Sequence, residues 1–363
     1  MLIIYYIFFF ILFIFNPALN DVVLNKNQTT NQTFGATKIV PIVTNEEQQE
    51  SIPGDLCNEM KKNTKYTWIG TSGLYNLNII SRTKNIEKII ICDIDKRMII
   101  FWLDVLKEIK QANSNADAKI KIFNMIEKNA KLYFSESPNK EVVEKTKNIF
   151  FSIDRENDFS KCSRRDVRDK ASISSKIFYN NANNFPLDQS ISLCDSSFVL
   201  TMFSLKREID SGISFMSTNE QFIKIQNMAN NNLIQIFQYD FTNKDNMKNL
   251  SIYIKNINKI IYISNIEDFL DNDQHNNMVS ALALLAGANL NNTPIFVSTE
   301  ARACFLCAMK QRVIHSLPIE NYENTKDVIS LALPKNNLFP YHKGDKNTNI
   351  HDLHTCKYYT KTI

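Results

Sequence analysis

Three stretches of this chain stay apolar for the full length of a strand: Lys88-Ile-Ile-Ile-Cys92, Lys259-Ile-Ile-Tyr-Ile263 and Pro294-Ile-Phe-Val-Ser298. A strand with one wet face alternates apolar and polar residues. A strand that does not alternate is covered on both faces, as in the parallel sheet of an α/β protein. Two shorter runs, Tyr66-Thr-Trp-Ile69 and Leu233-Ile-Gln-Ile-Phe237, also read as strands. Helical segments are expected at Leu74–Arg82, Arg97–Gln111, Lys244–Ile254, Asn277–Ala288 and Ala301–Ile314. In Arg97–Gln111 the residues Met98, Phe101, Trp102, Val105 and Ile109 recur at helical spacing. This alternation predicts a doubly wound, mostly parallel sheet, with ligands at the carboxyl ends of the strands.

The rhythm fades between about 112 and 232 into polar helical material with a charged stretch at Asp154–Lys170, which reads as an insertion or cap. The α/β domain is therefore expected over 55–315, with a polar linker at 21–54 and an irregular tail at 316–363. With 363 residues and 44% apolar content, the chain can build its core without staples. Its 42 basic and 38 acidic side chains give a thinly spread +4, which carries no nucleic-acid footprint. Arg164, Arg165 and Arg168 form the one basic cluster, and Asp166 and Asp169 interrupt it as on a solvated face.

Leu2–Phe15 is an unbroken apolar run, of signal-peptide length and short for a membrane span of about 20 residues. Residues 1–20 are thus expected to export the protein, as a cleaved signal or as an uncleaved anchor, leaving it periplasmic, secreted or membrane-attached. Seven cysteines are too few for a disulfide framework in a chain this long and read mainly as buried small hydrophobes. Cys304 and Cys307 fall on one face of an expected helix. No metal site is assigned to them or to His315, His351, His354 and Cys356.

Candidate chemistry gathers at the expected strand ends. Gly70-Thr-Ser-Gly73 is a small-residue turn from strand to helix that would let a ligand approach backbone amides, and Ser72 lies within it. Asp93, at the end of the next strand, stands where an acid accepts hydrogen bonds from ribose hydroxyls; it would equally cap the following helix. Asp240-Phe241 pairs an acceptor with a ring, as adenine binding requires and as capping plus core packing also explains. Ser264, Asn265 and Glu267, within Ser264-Asn-Ile-Glu-Asp268, would border the substrate or cap a helix.

Taken in order, the Gly70 turn, Asp93, Asp240-Phe241 and Ile263-Ser-Asn-Ile-Glu-Asp-Phe-Leu270 resemble class I S-adenosylmethionine methyltransferases. Two blocks, Tyr66–Leu106 and Gly212–Leu270, are similar to a bacterial family of uncharacterised proteins with a Rossmann-like, methyltransferase-like fold. The resemblance implies that Gly70, Ser72, Gly73, Asp93, Asp240 and Phe241 line an S-adenosylmethionine site. It also implies that Ser264, Asn265 and Glu267 face an unknown methyl acceptor. The turn has two glycines where such enzymes usually carry three, and no Asn-Pro-Pro-Tyr follows the fourth strand. The alternative is a non-catalytic binding protein that keeps the fold.

Overall fold

A computed structural model of the protein describes residues 40, 42–43, 52–183, 192–254, 257–264, 272–286, 294–300 and 310–314. After helix α1 (Ile52–Glu59), β1 (Tyr66–Gly70) leads into α2 (Tyr75–Arg82), and β2 (Ile86–Cys92) into α3 (Lys96–Gln111). The insertion then follows. The α/β pattern resumes with α9 (Asn219–Asn230), β3 (Ile234–Phe237), α10 (Lys244–Tyr253), β4 (Asn258–Ser264), α11 (Asn272–Ala286), β5 (Ile295–Glu300) and β6 (Lys310–Ile314). The strand order is β3-β2-β1-β4-β5-β6, with the first five parallel and β6 antiparallel to β5.

The strands are apolar throughout because successive side chains enter two different cores. Trp68, Ile89, Ile91, Ile260, Tyr262, Ile295 and Val297 join one core with α2, α3 and α9. Ile69, Ile90, Cys92, Ile261, Ile263 and Phe296 join the other, under α10 and α11. The division follows from crossover handedness. The chain winds outward from β1 to β2 and β3, then returns to β4 on the far side of β1 and winds the other way, so right-handed crossovers place the two helix sets on opposite faces.

The region between 112 and 218 is helical: α4 (Asn115–Lys128), α5 (Ala130–Phe134), α6 (Lys140–Phe151), α7 (Arg164–Asn183) and α8 (Leu193–Asp210). Val142, Phe159, Val167, Ala171, Phe178, Val199 and Phe203 give it a satellite core. Arg165, Asp166, Arg168 and Asp169 are solvent-exposed on α7. A buried polar contact fastens the insertion to the sheet layer. Asn78 of α2 donates from Nδ2 to Glu208 Oε2 of α8 at 2.8 Å, and its Oδ1 accepts from the Phe215 N–H at 3.0 Å.

Helix α9 falls within the residues expected to be insertion, yet it belongs to the layer flanking the sheet. Its Lys224 Nζ donates to Ile80 O at 2.6 Å and Thr83 O at 2.5 Å at the end of α2, while Gln226 Nε2 donates to Ile109 O and Ala112 O at the end of α3. One helix thereby supplies donors to Thr83 O and Ala112 O and second donors to Ile80 O and Ile109 O, which also accept from the Thr83 and Ala112 N–H groups. Burial lowers the Lys224 pKa, so the charge is held at a cost that the carbonyls offset. Lys224→Ala is expected to destabilise the protein by about 1–3 kcal/mol, the cost of stranding such carbonyls. Urea unfolding checks this, and an unchanged midpoint would remove Lys224 from the framework.

Two expectations are corrected. A helix was expected over Ala301–Ile314, but Lys310–Ile314 is strand β6, in register with β5 from Phe296↔Ile314 to Glu300↔Lys310. The ladder offered by β5 overrides local helix preference, a tertiary effect that residue spacing does not carry. Second, the segment expected to be flexible linker contributes Val40 and Ile42 to the main core, and α1 begins at Ile52. The apolar run, the rest of the linker, Cys304, Cys307 and the tail lie outside the described residues. Of the cysteines described, Cys92 and Cys194 are buried, Cys162 is half-buried and Cys57 is exposed. Among the described residues no helix is long and apolar enough to cross a membrane.

Candidate functional site

The winding reverses between β1 and β4, so a crevice is expected beyond their carboxyl ends, bordered by Gly70 and Ser264. Gly70 ends β1, and Thr71-Ser72-Gly73 turns the chain toward α2. Ser72 has a φ of 68°, a left-handed conformation that costs a non-glycine residue about 1–2 kcal/mol and must be held by its surroundings.

What holds it is a set of side chains. Asn76 Nδ2 donates to Thr71 O at 2.8 Å and Gly73 O at 2.9 Å, and its Oδ1 accepts from Trp68 Nε1 at 2.8 Å. Trp102 Nε1 of α3 donates to Ser72 O at 2.8 Å. The Leu74 N–H at the start of α2 donates to Ile42 O at 3.0 Å, so the chain's own N-terminal segment supplies that amide's acceptor. Gly70 is glycine for an internal reason. A Cβ there would run into Asn76 Oδ1 and lie 2.6 Å from Trp68 Nε1.

Asp93, just past β2, ties three strand ends together. Its Oδ2 accepts from the Ser72 N–H at 3.2 Å and the Thr71 hydroxyl at 3.4 Å, and its Oδ1 accepts from the Asp95 N–H at 2.9 Å. Its own N–H donates to Phe237 O at the end of β3. Burial pushes the Asp93 carboxyl up to about 6. The Asp95 and Ser72 amides oppose that shift, the Asp95 charge adds to it, and the Thr71 hydroxyl opposes it. A carboxylate offers about four lone-pair directions, and three of them are engaged among the described residues. Asp95 caps α3 by accepting from the Arg97 N–H at 2.9 Å and pairs with the Arg97 guanidinium at 2.6 Å.

Gly70, Ser72, Gly73 and Asp93 thus meet at one corner of the sheet. Asp240-Phe241 lies beyond β3 in the turn to α10. Asp240 Oδ1 accepts from the Thr242 N–H at 2.7 Å and its hydroxyl at 2.8 Å, and the Asp240 N–H donates to Asn246 Oδ1 at 3.0 Å. Phe241 is 3% exposed and packs with Met247 and Leu250 of α10, so as placed its ring meets protein. Two other rings stand at this strand end, Phe237 and Tyr239, stacked with centroids 5.2 Å apart. Ser264 closes β4 opposite Ser298 of β5, while Asn265 and Glu267 lie outside the described residues.

Sequence reasoning missed Thr71, Asn76 and Trp102. Asn76 carries a weak signal, as one of two asparagines in the first turn of α2, Tyr75-Asn-Leu-Asn78, whose residues are all buried. Cys92, next to Asp93, is buried and its thiol pKa is raised by that burial first and by the Asp93 charge second, so it is inert as a nucleophile.

No protein-family model matches the chain, and no curated protein matches it significantly. The class is defined by architecture: a Rossmann-like, doubly wound α/β domain with a helical insertion and a half-buried acid at the end of its second strand.

Proposed function

We propose that this domain binds the adenosine portion of S-adenosylmethionine at the ends of β1 and β2, as part of an exported methyltransferase-like protein acting on an unknown acceptor. The observation that carries the reading is Asp93, a carboxylate held in a partly desolvated site at the end of β2 against the turn that follows β1, with three of about four acceptor directions engaged among the described residues. Such a group accepts ribose hydroxyls well, because charge-assisted hydrogen bonds strengthen as water is excluded. Ser264, Asn265 and Glu267 would face the acceptor, and positioning alone would suffice for an acceptor that is already nucleophilic.

One observation favours a second reading, a non-catalytic interaction protein that retains the fold. The carbonyls of Thr71, Ser72 and Gly73 and the Ser72 amide are all taken by Asn76, Trp102 and Asp93. Calorimetry of residues 21–363 with S-adenosylhomocysteine separates the two. The first reading expects binding that weakens roughly ten- to a hundredfold in Asp93→Ala, the worth of a charge-assisted hydrogen bond. Absence of heat at about millimolar ligand, a concentration that would reveal even a weak site, removes the cofactor site. Affinity unchanged in Asp93→Ala removes its ribose role.

A further inference from the structure

A strand-to-helix turn that binds an acidic ligand group presents free main-chain donors and a positive field to it. The turn after β1 does neither. The Ser72 N–H and the Thr71 hydroxyl donate to Asp93 Oδ2. The Leu74 N–H donates to Ile42 O, and since no side chain caps the start of α2, it is the chain's own carbonyl that holds this amide. Thr71, Gly73 and Leu74 are buried and Ser72 is half-buried, so little of the turn's main chain reaches solvent. Nor can the Ser72 amide be re-aimed cheaply. Its residue is held at a φ of 68° by Trp102 on its own carbonyl and by Asn76 on the carbonyls to either side. The charge at this corner is negative as well. Asp93 and Asp95 stand together at the end of β2, and the Arg97 guanidinium is paired with Asp95 at 2.6 Å. Lys96 is exposed, where an ammonium contributes little.

We propose that this corner takes adenosine derivatives whose 5′ end carries no anionic group, rejecting 5′-phosphates and drawing no affinity from a 5′ amino-acid carboxylate. The inference rests on the adenosine reading above and narrows it to the nucleoside. A phosphate brought beside Asp93 would lose water and find a like charge in place of donors, and an unpaired charge of that kind is what makes a site selective. A thioether at the same place asks for no donor. The amino-acid end of S-adenosylmethionine is then a passenger at this turn.

Calorimetry of the full chain with four ligands tests this at about pH 8, where Asp93 is ionised. Adenosine and 5′-methylthioadenosine are expected to bind, with S-adenosylhomocysteine within about tenfold of the latter. Adenosine 5′-monophosphate is expected to bind at least about tenfold more weakly than adenosine. Asp93→Asn removes the charge and keeps an acceptor, so the ratio between adenosine and its monophosphate is expected to shrink at least about threefold. Exclusion of the phosphate by shape alone would leave that ratio unchanged. Circular dichroism checks the variant's fold, and the wild-type series decides by itself should the variant not fold. A monophosphate that binds as tightly as adenosine overturns the proposal. So does S-adenosylhomocysteine binding more than about tenfold tighter than 5′-methylthioadenosine, or an unchanged ratio in folded Asp93→Asn. These three outcomes leave the adenosine reading standing, whereas failure of all four ligands to bind removes that reading and the proposal with it.

Discussion

Gly70→Ala is expected to lower stability by about 3 kcal/mol, a large effect for a single methyl group at a strand end. The added Cβ would meet the Asn76 carboxamide and the Trp68 indole nitrogen. Overpacking of a rigid site costs roughly 1–3 kcal/mol, and breaking the buried Trp68–Asn76 hydrogen bond strands two polar groups at about 1–3 kcal/mol more. The mechanism predicts its own control. In an Asn76→Ala background the space opens, so Gly70→Ala is expected to cost far less, and the double mutant is less destabilised than the sum of the singles. Urea midpoints for the four proteins test this. Additive losses would mean that Gly70 and Asn76 act independently and that the turn is not built around the carboxamide. A glycine serving only ligand approach would show the opposite pattern, with stability kept and binding lost.

Replacement of Asp93 by asparagine is expected to stabilise the protein in alkaline solution and not in acid. The carboxyl titrates at about 6 in the folded chain and at about 4 when unfolded. The folded state therefore holds the proton more tightly. Stability from that preference is complete below about pH 4 and is lost as pH rises through about 6. Above that, wild type carries an ionised group in a partly desolvated site. The cost is on the order of 2 kcal/mol after allowance for the remaining solvent contact. Asp93→Asn is nearly isosteric and keeps an acceptor for the Ser72 or Asp95 amide. The variant is expected to exceed wild type by about that amount at pH 8, with the gap closing between pH 6 and 4. Denaturation midpoints across the range test it, and a pH-independent difference would show that the carboxylate is not desolvated. The same titration bears on the proposed site, since the ionised form accepts a ribose hydroxyl more strongly than the neutral acid. Affinity for S-adenosylhomocysteine is then expected to rise with pH through about 6, opposite in sign to stability.

Parts of this protein were legible in the chain alone. Runs such as Lys88–Cys92 and Lys259–Ile263 required cover on both faces, and the two cores on opposite sides of the sheet supply it. The position of Asp93 at a strand end followed from the strand before it, because strand length and the following helix are local matters. So did the helical character of the insertion. The sequence could not tell what Asp93 touches, since its partners Thr71 and Ser72 belong to the neighbouring strand's turn and meet it only when β1 and β2 pair. Gly70 carried the same ambiguity. Glycine permits ligand approach and close packing alike, and the side chains that decide, Trp68 and Asn76, come together only in the folded turn.

Tertiary structure also decided the ends of the sheet. Lys310–Ile314 is a strand because β5 offers an unpaired edge, and α9 joins the sheet layer because Lys224 and Gln226 reach the carbonyl ends of α2 and α3. Both depend on partners from 10 to more than 140 residues away along the chain, for which spacing carries no signal. What the sequence determined by itself was the class of the fold, because burial on two faces dictates composition residue by residue. What only the folded chain decided was which polar groups are spent on each other and which remain for a ligand, because a hydrogen bond is a property of two places and a sequence reports them one at a time.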